Sequence, residues 1–186
     1  MDLERKIYKT ELEGEEFTLE ISKLAEKAGG AVLARHGATV VLATVVMSEK
    51  EGAGDFFPLT VDYEEKFYAV GKILGSRFMR REGRPSDEAT LSARLIDRTI
   101  RPLFDHRLRR EVQVTATIFA YDGEHDPDVP ALIAISTALG ISNIPWNGPV
   151  AGVSKNGAFF AGPKGLVNMI EFEGQEMKED ELFKIF

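Results

Sequence analysis

The 186-residue chain contains no cysteine. Disulfides, thiolate metal sites and cysteine nucleophiles are therefore excluded. Histidine is scarce: His36, His106 and His125 lie far apart and fall in no metal-ligand spacing. No apolar run approaches the ~20 residues that a membrane-spanning helix needs. The opening segment, MDLERKIYKTELEGEEF, is charged throughout and lacks the apolar core of a secretory leader, so cytoplasm is the expected location, with no membrane partner. Basic residues are the minority, 23 Lys and Arg against 30 Asp and Glu, a formal net charge of −7. That sum alone argues against a nucleic-acid partner; its distribution does not.

Hydrophobic residues make up 44% and charged residues 28%, ordinary values for a globular protein able to bury a core. The length suits one domain or two small ones. From Lys72 to Arg110 the chain carries eleven basic and five acidic residues, leaving −13 for the remainder. Ten of the eleven are arginine, and RFMRREGRPSDEATLSARLIDRTIRPLF, Arg77–Phe104, holds seven arginines and no lysine. Arginine presents a planar fork that grips phosphate at two points, whereas lysine is a mobile point charge. Such a segment on an acidic body is either a local anion site or a solvated surface with ordinary ion pairs.

The patterning predicts an α+β domain. KIYKTEL and EEFTLEI flank Glu13–Gly14 and read as a hairpin. GAVLARHG and TVVLATVVMS follow as strands, the second so rich in β-branched residues that it reads as buried on both faces. In DFFPLTVDYEEKFYA, Pro58 favours an edge strand or a strand start. A loop follows, and then a helix from about Asp87 to Ile100, with Ser86 as N-cap, Leu91, Leu95 and Ile96 as its apolar stripe, and Pro102 ending it. EVQVTATIFAYD alternates as a strand. DPDVPALIAISTALGIS reads as a core helix, with Asp126 as N-cap and Gly140 as its stop. IPWNGPVAGV leads into a strand, and the tail reads as short and irregular, closing on the start of a helix.

Two groups of residues carry candidate chemistry. Arg94, Arg98 and Arg101 are spaced four and three apart and share a helical face, with Asp97 read as lying to a different side. Either each pairs with a carboxylate elsewhere in the fold, or an anion lies across the three. The preceding loop offers Phe78, Met79, Arg80, Arg81 and Arg84. An aromatic beside guanidiniums forms a platform for single-stranded nucleic acid, with bases on the ring and phosphates on the charges; the competing reading is a surface turn with a buried phenylalanine. No Ser/His/Asp arrangement is legible.

FFPLTVDYEEKFYAVGKI, RREGRPSDEATLSARLIDRTIRPLF, EVQVTAT, DPDVPALIAIS and IPWNGPV, together and in this order, resemble the first RNase PH-like domain of bacterial polynucleotide phosphorylases, over roughly residues 5–153. FAGPKGLVNMIEFEGQEM resembles a later segment of that domain. The resemblance implies an RNase PH-like fold, a mixed β-sheet packed with α-helices. On this reading residues 1–153 are the core of the first copy and residues 154–186 its shortened remainder. It implies part of a phosphorolytic 3′-to-5′ exoribonuclease, in which inorganic phosphate attacks single-stranded RNA and releases nucleoside diphosphates. It also implies a ring-shaped homotrimer, with KH and OB-fold domains further along the chain. Mg²⁺ and most phosphate ligands are implied to lie in a second core, so no metal site is expected here. Phe78, Met79, Arg80, Arg81 and Arg84 are implied to guide RNA, and Arg94, Arg98 and Arg101 to form part of the active-site wall. An inactive RNase PH-like subunit that binds RNA or closes a ring is the alternative. The sequence departs from the family in two places: the loop GSRFMRREGR is about one residue longer, leaving the stacking role between Phe78 and Met79, and the connection from Val153 to Ala161 is much shorter.

Overall fold

A computed structural model describes residues 3–73, 75, 78, 83–155, 157–176 and 178–182. The predicted hairpin is present as β1 (Lys6–Leu12) and β2 (Glu15–Ile21), turning through Glu13 and Gly14, both at positive φ. β3 (Gly30–His36) and β4 (Thr39–Glu51) follow, with Gly37 in the left-handed region at their turn. β5 (Leu59–Glu65) begins one residue after Pro58 and lies at the sheet edge, as the missing N–H of proline demands. α1 (Asp87–Ile100) and β6 (Arg110–Ala120) come next, then α2 (Asp128–Ile141).

The six strands are ordered β1-β2-β3-β4-β6-β5, antiparallel except for the parallel β5–β6 pair. A parallel pair needs a crossover, and α1 lies within it. Both helices pack on the same sheet face, α1 against β5 and α2 against β3 and β4. A second sheet, β7 (Val150–Lys155), β8 (Ala158–Pro163) and β9 (Met169–Phe172), is antiparallel and packs on the far side, β7 against α2 and β9 against α1. The helices are thus held between two sheets. This explains α2, whose Val129, Ala131, Leu132, Ile135 and Leu139 are all buried and which has no polar stripe. A four-residue helix, α3 (Glu179–Leu182), follows.

Several expectations change. The tail is not irregular: AFFAGP and MIEF pair into the second sheet, and Gly157 at positive φ lets β7 turn directly into β8. Each of these strands is too short for its alternation to register as a pattern. β4 is not buried on both faces. Thr39, Val41, Ala43 and Val45 are buried beneath the helices, whereas Val40, Leu42 and Thr44 on the other face are half-buried. Leu91 does not join the α1 stripe. It is 56% exposed, and the buried face is Ala89, Leu95, Ile96, Thr99 and Ile100. α2 runs through Gly140 to Ile141; Pro127 flanks its start, and Asp126 accepts from the Asp128 N–H rather than capping the helix.

Candidate nucleic-acid interface

α1 is anchored at both ends. Ser86 Oγ accepts from the Ala89 N–H (2.9 Å) and donates to Glu65 Oε2 (2.7 Å), joining the helix start to the end of β5. At the other end Asn168 Nδ2 donates to the Thr99 carbonyl (2.9 Å) and Trp146 Nε1 to the Ile100 carbonyl (3.3 Å). Carbonyls left open by the end of the helix are thereby satisfied from outside it. The outward side chains of α1 stand on a fixed rod.

The three arginines do not behave alike. Arg101 directs Nε and Nη2 at both Asp97 oxygens (2.9 and 2.6 Å), and Nη2 also donates to the Leu59 carbonyl (3.1 Å). It ties α1 to β5, which corrects the expectation that Asp97 lies to a different side: Asp97 and Arg101 are four apart, the same helical relation as Arg94 and Arg98. Arg98 is 58% exposed, and its ion pair with Glu171 of β9 is 4.0 Å long. Arg94 is exposed and pairs with no described carboxylate. The helix therefore presents two available guanidiniums rather than three. In the loop, Phe78 is 84% exposed and not the buried ring of the competing reading, and Arg84 is exposed just before the Ser86 cap. Met79, Arg80 and Arg81 lie outside the described residues.

Acidic groups flank this edge. A groove between α1 and the second sheet is lined by Glu88, Asp126, Asp128, Glu171 and Glu173, with Ser92 and Phe159. Asp128 accepts from Ser92 Oγ (3.0 Å). Burial, then the charge of Asp126, pushes its carboxyl up to about 6. Burial and the neighbouring Asp128 likewise hold the Tyr63 hydroxyl protonated well above the ordinary range. Among the described residues no three carboxylates or histidines come together as a metal-binding set.

Sequence reasoning missed a polar node at the end of the large sheet. Asp122 accepts from the backbone N–H groups of Ala38, Glu124 and His125, all at 2.9 Å, and these bonds, that of His125 foremost, hold its carboxyl far below the usual range. Thr39 Oγ1, fully buried, lies 3.1 Å from Asp122 Oδ1 and 3.0 Å from the His125 carbonyl. Thr39 and Asp122 are 83 positions apart, so only the β4–β6 pairing brings them together.

The family model described as the 3′ exoribonuclease family, domain 1, matches residues 13–145. The chain is 46% identical to a polyribonucleotide nucleotidyltransferase of Staphylococcus epidermidis over 204 aligned residues, covering 99% of this chain and 29% of the relative. It is 44% identical to the enzyme of that name from Listeria welshimeri, covering 97% of this chain and 28% of the relative. The chain thus spans under a third of the length of these curated relatives. An alignment of 204 positions against 186 residues also means that this relative carries residues absent here. The crystal structure of Rrp46 from rice (Oryza sativa) superposes with a TM-score of 0.61 at 17% identity, covering 99% of this chain and 86% of that one, a likeness of fold. The order of strands and helices, the matched span and the identity along nearly the whole chain lead to one conclusion: this chain belongs to the 3′ exoribonuclease family, as its RNase PH-like domain 1.

Proposed function

We propose that this chain is the first RNase PH-like core of a phosphorolytic 3′-to-5′ exoribonuclease acting on single-stranded RNA and mRNA in the cytoplasm. Residues 1–153 form the core and residues 154–186 its shortened remainder. The observation that carries the reading is the pair Arg94 and Arg98 on a helix anchored at both ends, outward guanidiniums of which the first pairs with no described carboxylate and the second makes only a 4.0 Å contact with Glu171. In the reaction an oxygen of inorganic phosphate attacks the terminal phosphodiester. The bond to the 3′-oxygen of the preceding nucleotide breaks, a nucleoside diphosphate leaves, and that oxygen takes a proton. Attacking and attacked groups are both anions, so fixed positive charge offsets their repulsion and holds them in place. Arg94 and Arg98 act in this wall directly, and Arg101 acts by fixing α1 to β5. Phe78, Met79, Arg80, Arg81 and Arg84 guide the RNA strand, with the acidic groove marking the side from which phosphates are turned away. Mg²⁺ belongs to a second core, and the complete enzyme is a homotrimer.

The test is Arg98→Ala in the complete enzyme, with phosphate-dependent release of nucleoside diphosphates and melting temperature read on the same preparation. Loss of one charge-assisted contact, ~1.5–3 kcal/mol, lowers turnover roughly tenfold to a hundredfold. Melting should stay nearly unchanged, because the Glu171 contact is long and exposed. Normal turnover with a large drop in melting temperature would assign Arg98 a structural role and remove it from the wall.

A further inference from the structure

Three connections meet around one imidazole at the end of the large sheet. His125, in the β6–α2 connection, directs Nδ1 at Asp122 Oδ2 (2.8 Å) and Nε2 at Glu15 Oε2 (3.1 Å). Nδ1 is hydrogen-bonded to Asp122, and Nε2 forms an ion pair with Glu15 when the ring is protonated. The ring lies against His36 of β3, centroids 4.4 Å apart, and His36 Nε2 donates to the Leu12 carbonyl (3.2 Å). The β3–β4 turn closes the site from a third side. A Cβ on Gly37 would stand 2.5 Å from His125 Cε1, so only glycine admits the ring there.

The two carboxylates are held differently. Asp122 is fixed by three backbone N–H groups and by Thr39, whatever the state of the histidine. Glu15, the first residue of β2, is about half exposed, and its contact here is the ring. If the imidazole loses one proton, the remaining N–H is best held at Nδ1, which is hydrogen-bonded to the less exposed Asp122. The Nε2 lone pair then faces the Glu15 carboxylate, and attraction turns to repulsion.

We propose that His125 is a proton-operated clasp between the β1–β2 hairpin and the β6–α2 connection. It lets go of Glu15 on deprotonation while it stays tied to Asp122. The titratable groups around the ring are Asp122, Glu124 and Asp126 from its own connection, Glu13 and Glu15 from the hairpin, and His36 from β3; β4 supplies Thr39, β7 Ser154 and α2 Val129. The acidic majority favours the imidazolium, and the hydrogen bond that the ring donates to Asp122 above all raises the His125 pKa above its ordinary 6.5. A histidine raised in the folded state contributes stability that is complete below about 6.5 and is lost as pH rises through the raised value. The hairpin is thus fastened below about pH 6.5 and loosened as pH rises through the raised value. β1 is the exposed edge strand, so the hairpin is the element free to respond.

Hydrogen exchange of the chain between pH 6 and 9, corrected for intrinsic rates, reads this directly. The β1–β2 amides should open roughly two- to fivefold more often at the alkaline end, the range for a partly screened ion pair, while the β4–β6 amides hold constant. Glu15→Gln, a surface change that leaves a partner for either ring state, should flatten this response and lower the His125 pKa measured by NMR. An equal pH response in the wild type and Glu15→Gln, or a wild-type His125 titrating at or below 6.5, would overturn the proposal.

Discussion

A guanidinium is informative only with its partners. Arg94, Arg98 and Arg101 share one face in the sequence, yet the structure divides them by what each touches. Arg101→Ala removes a two-point contact with Asp97 and a donor to the Leu59 carbonyl, joining helix to strand. It should cost about 1–2 kcal/mol in denaturant unfolding, and Arg94→Ala should leave stability within about 0.5 kcal/mol. An equal loss in both variants would show that the pairing of Arg101 does not hold the helix. The arginine pattern was legible because helical spacing is a local property. The Asp97 pairing was also within reach, since a four-residue offset is visible in the sequence. The node of Thr39, Asp122, His125 and Glu15 was not, because its members come from three separate strands or connections.

At the level of elements, the sequence identified what depends on near neighbours. The first hairpin, the strand after Pro58 and both limits of α1 follow from turn residues, a cap and a proline, each acting within a few positions. The strand expected after IPWNGP is β7, but β8 and β9 of the second sheet escaped because strands of six and four residues take their stability from α1 and from neighbouring strands. Leu91 escaped for a related reason. Its spacing fits the stripe, but the α1 surface that meets β5 is narrower than the spacing allows. Ser86 links two elements at once. Ser86→Ala loses the cap at Ala89 and the tie to Glu65, and should lower stability by ~1 kcal/mol in thermal or denaturant unfolding. No change would mean that α1 is held by packing alone.

For the whole molecule, the strand order also dictates a schedule. β6 lies between β4 and β5, yet it follows β5 in the chain with α1 intervening. Until β6 is made, a nascent chain presents β4 with one bare edge and β5 with no partner, both unpaired and able to pair wrongly. The longest contacts of the sheet therefore form last, and loop closure must precede the contacts that reward it. A chain ending at Asp105, before β6, should show no cooperative thermal transition and should aggregate, whereas the chain containing β6 melts cooperatively. A sharp transition in the shorter piece would mean that the first five strands need no such keystone. In a cell, the ribosome would expose that unfinished edge for as long as it takes to translate α1 and β6. Slow codons or a pause within that stretch would lengthen the interval, and chaperone capture during synthesis would be concentrated there.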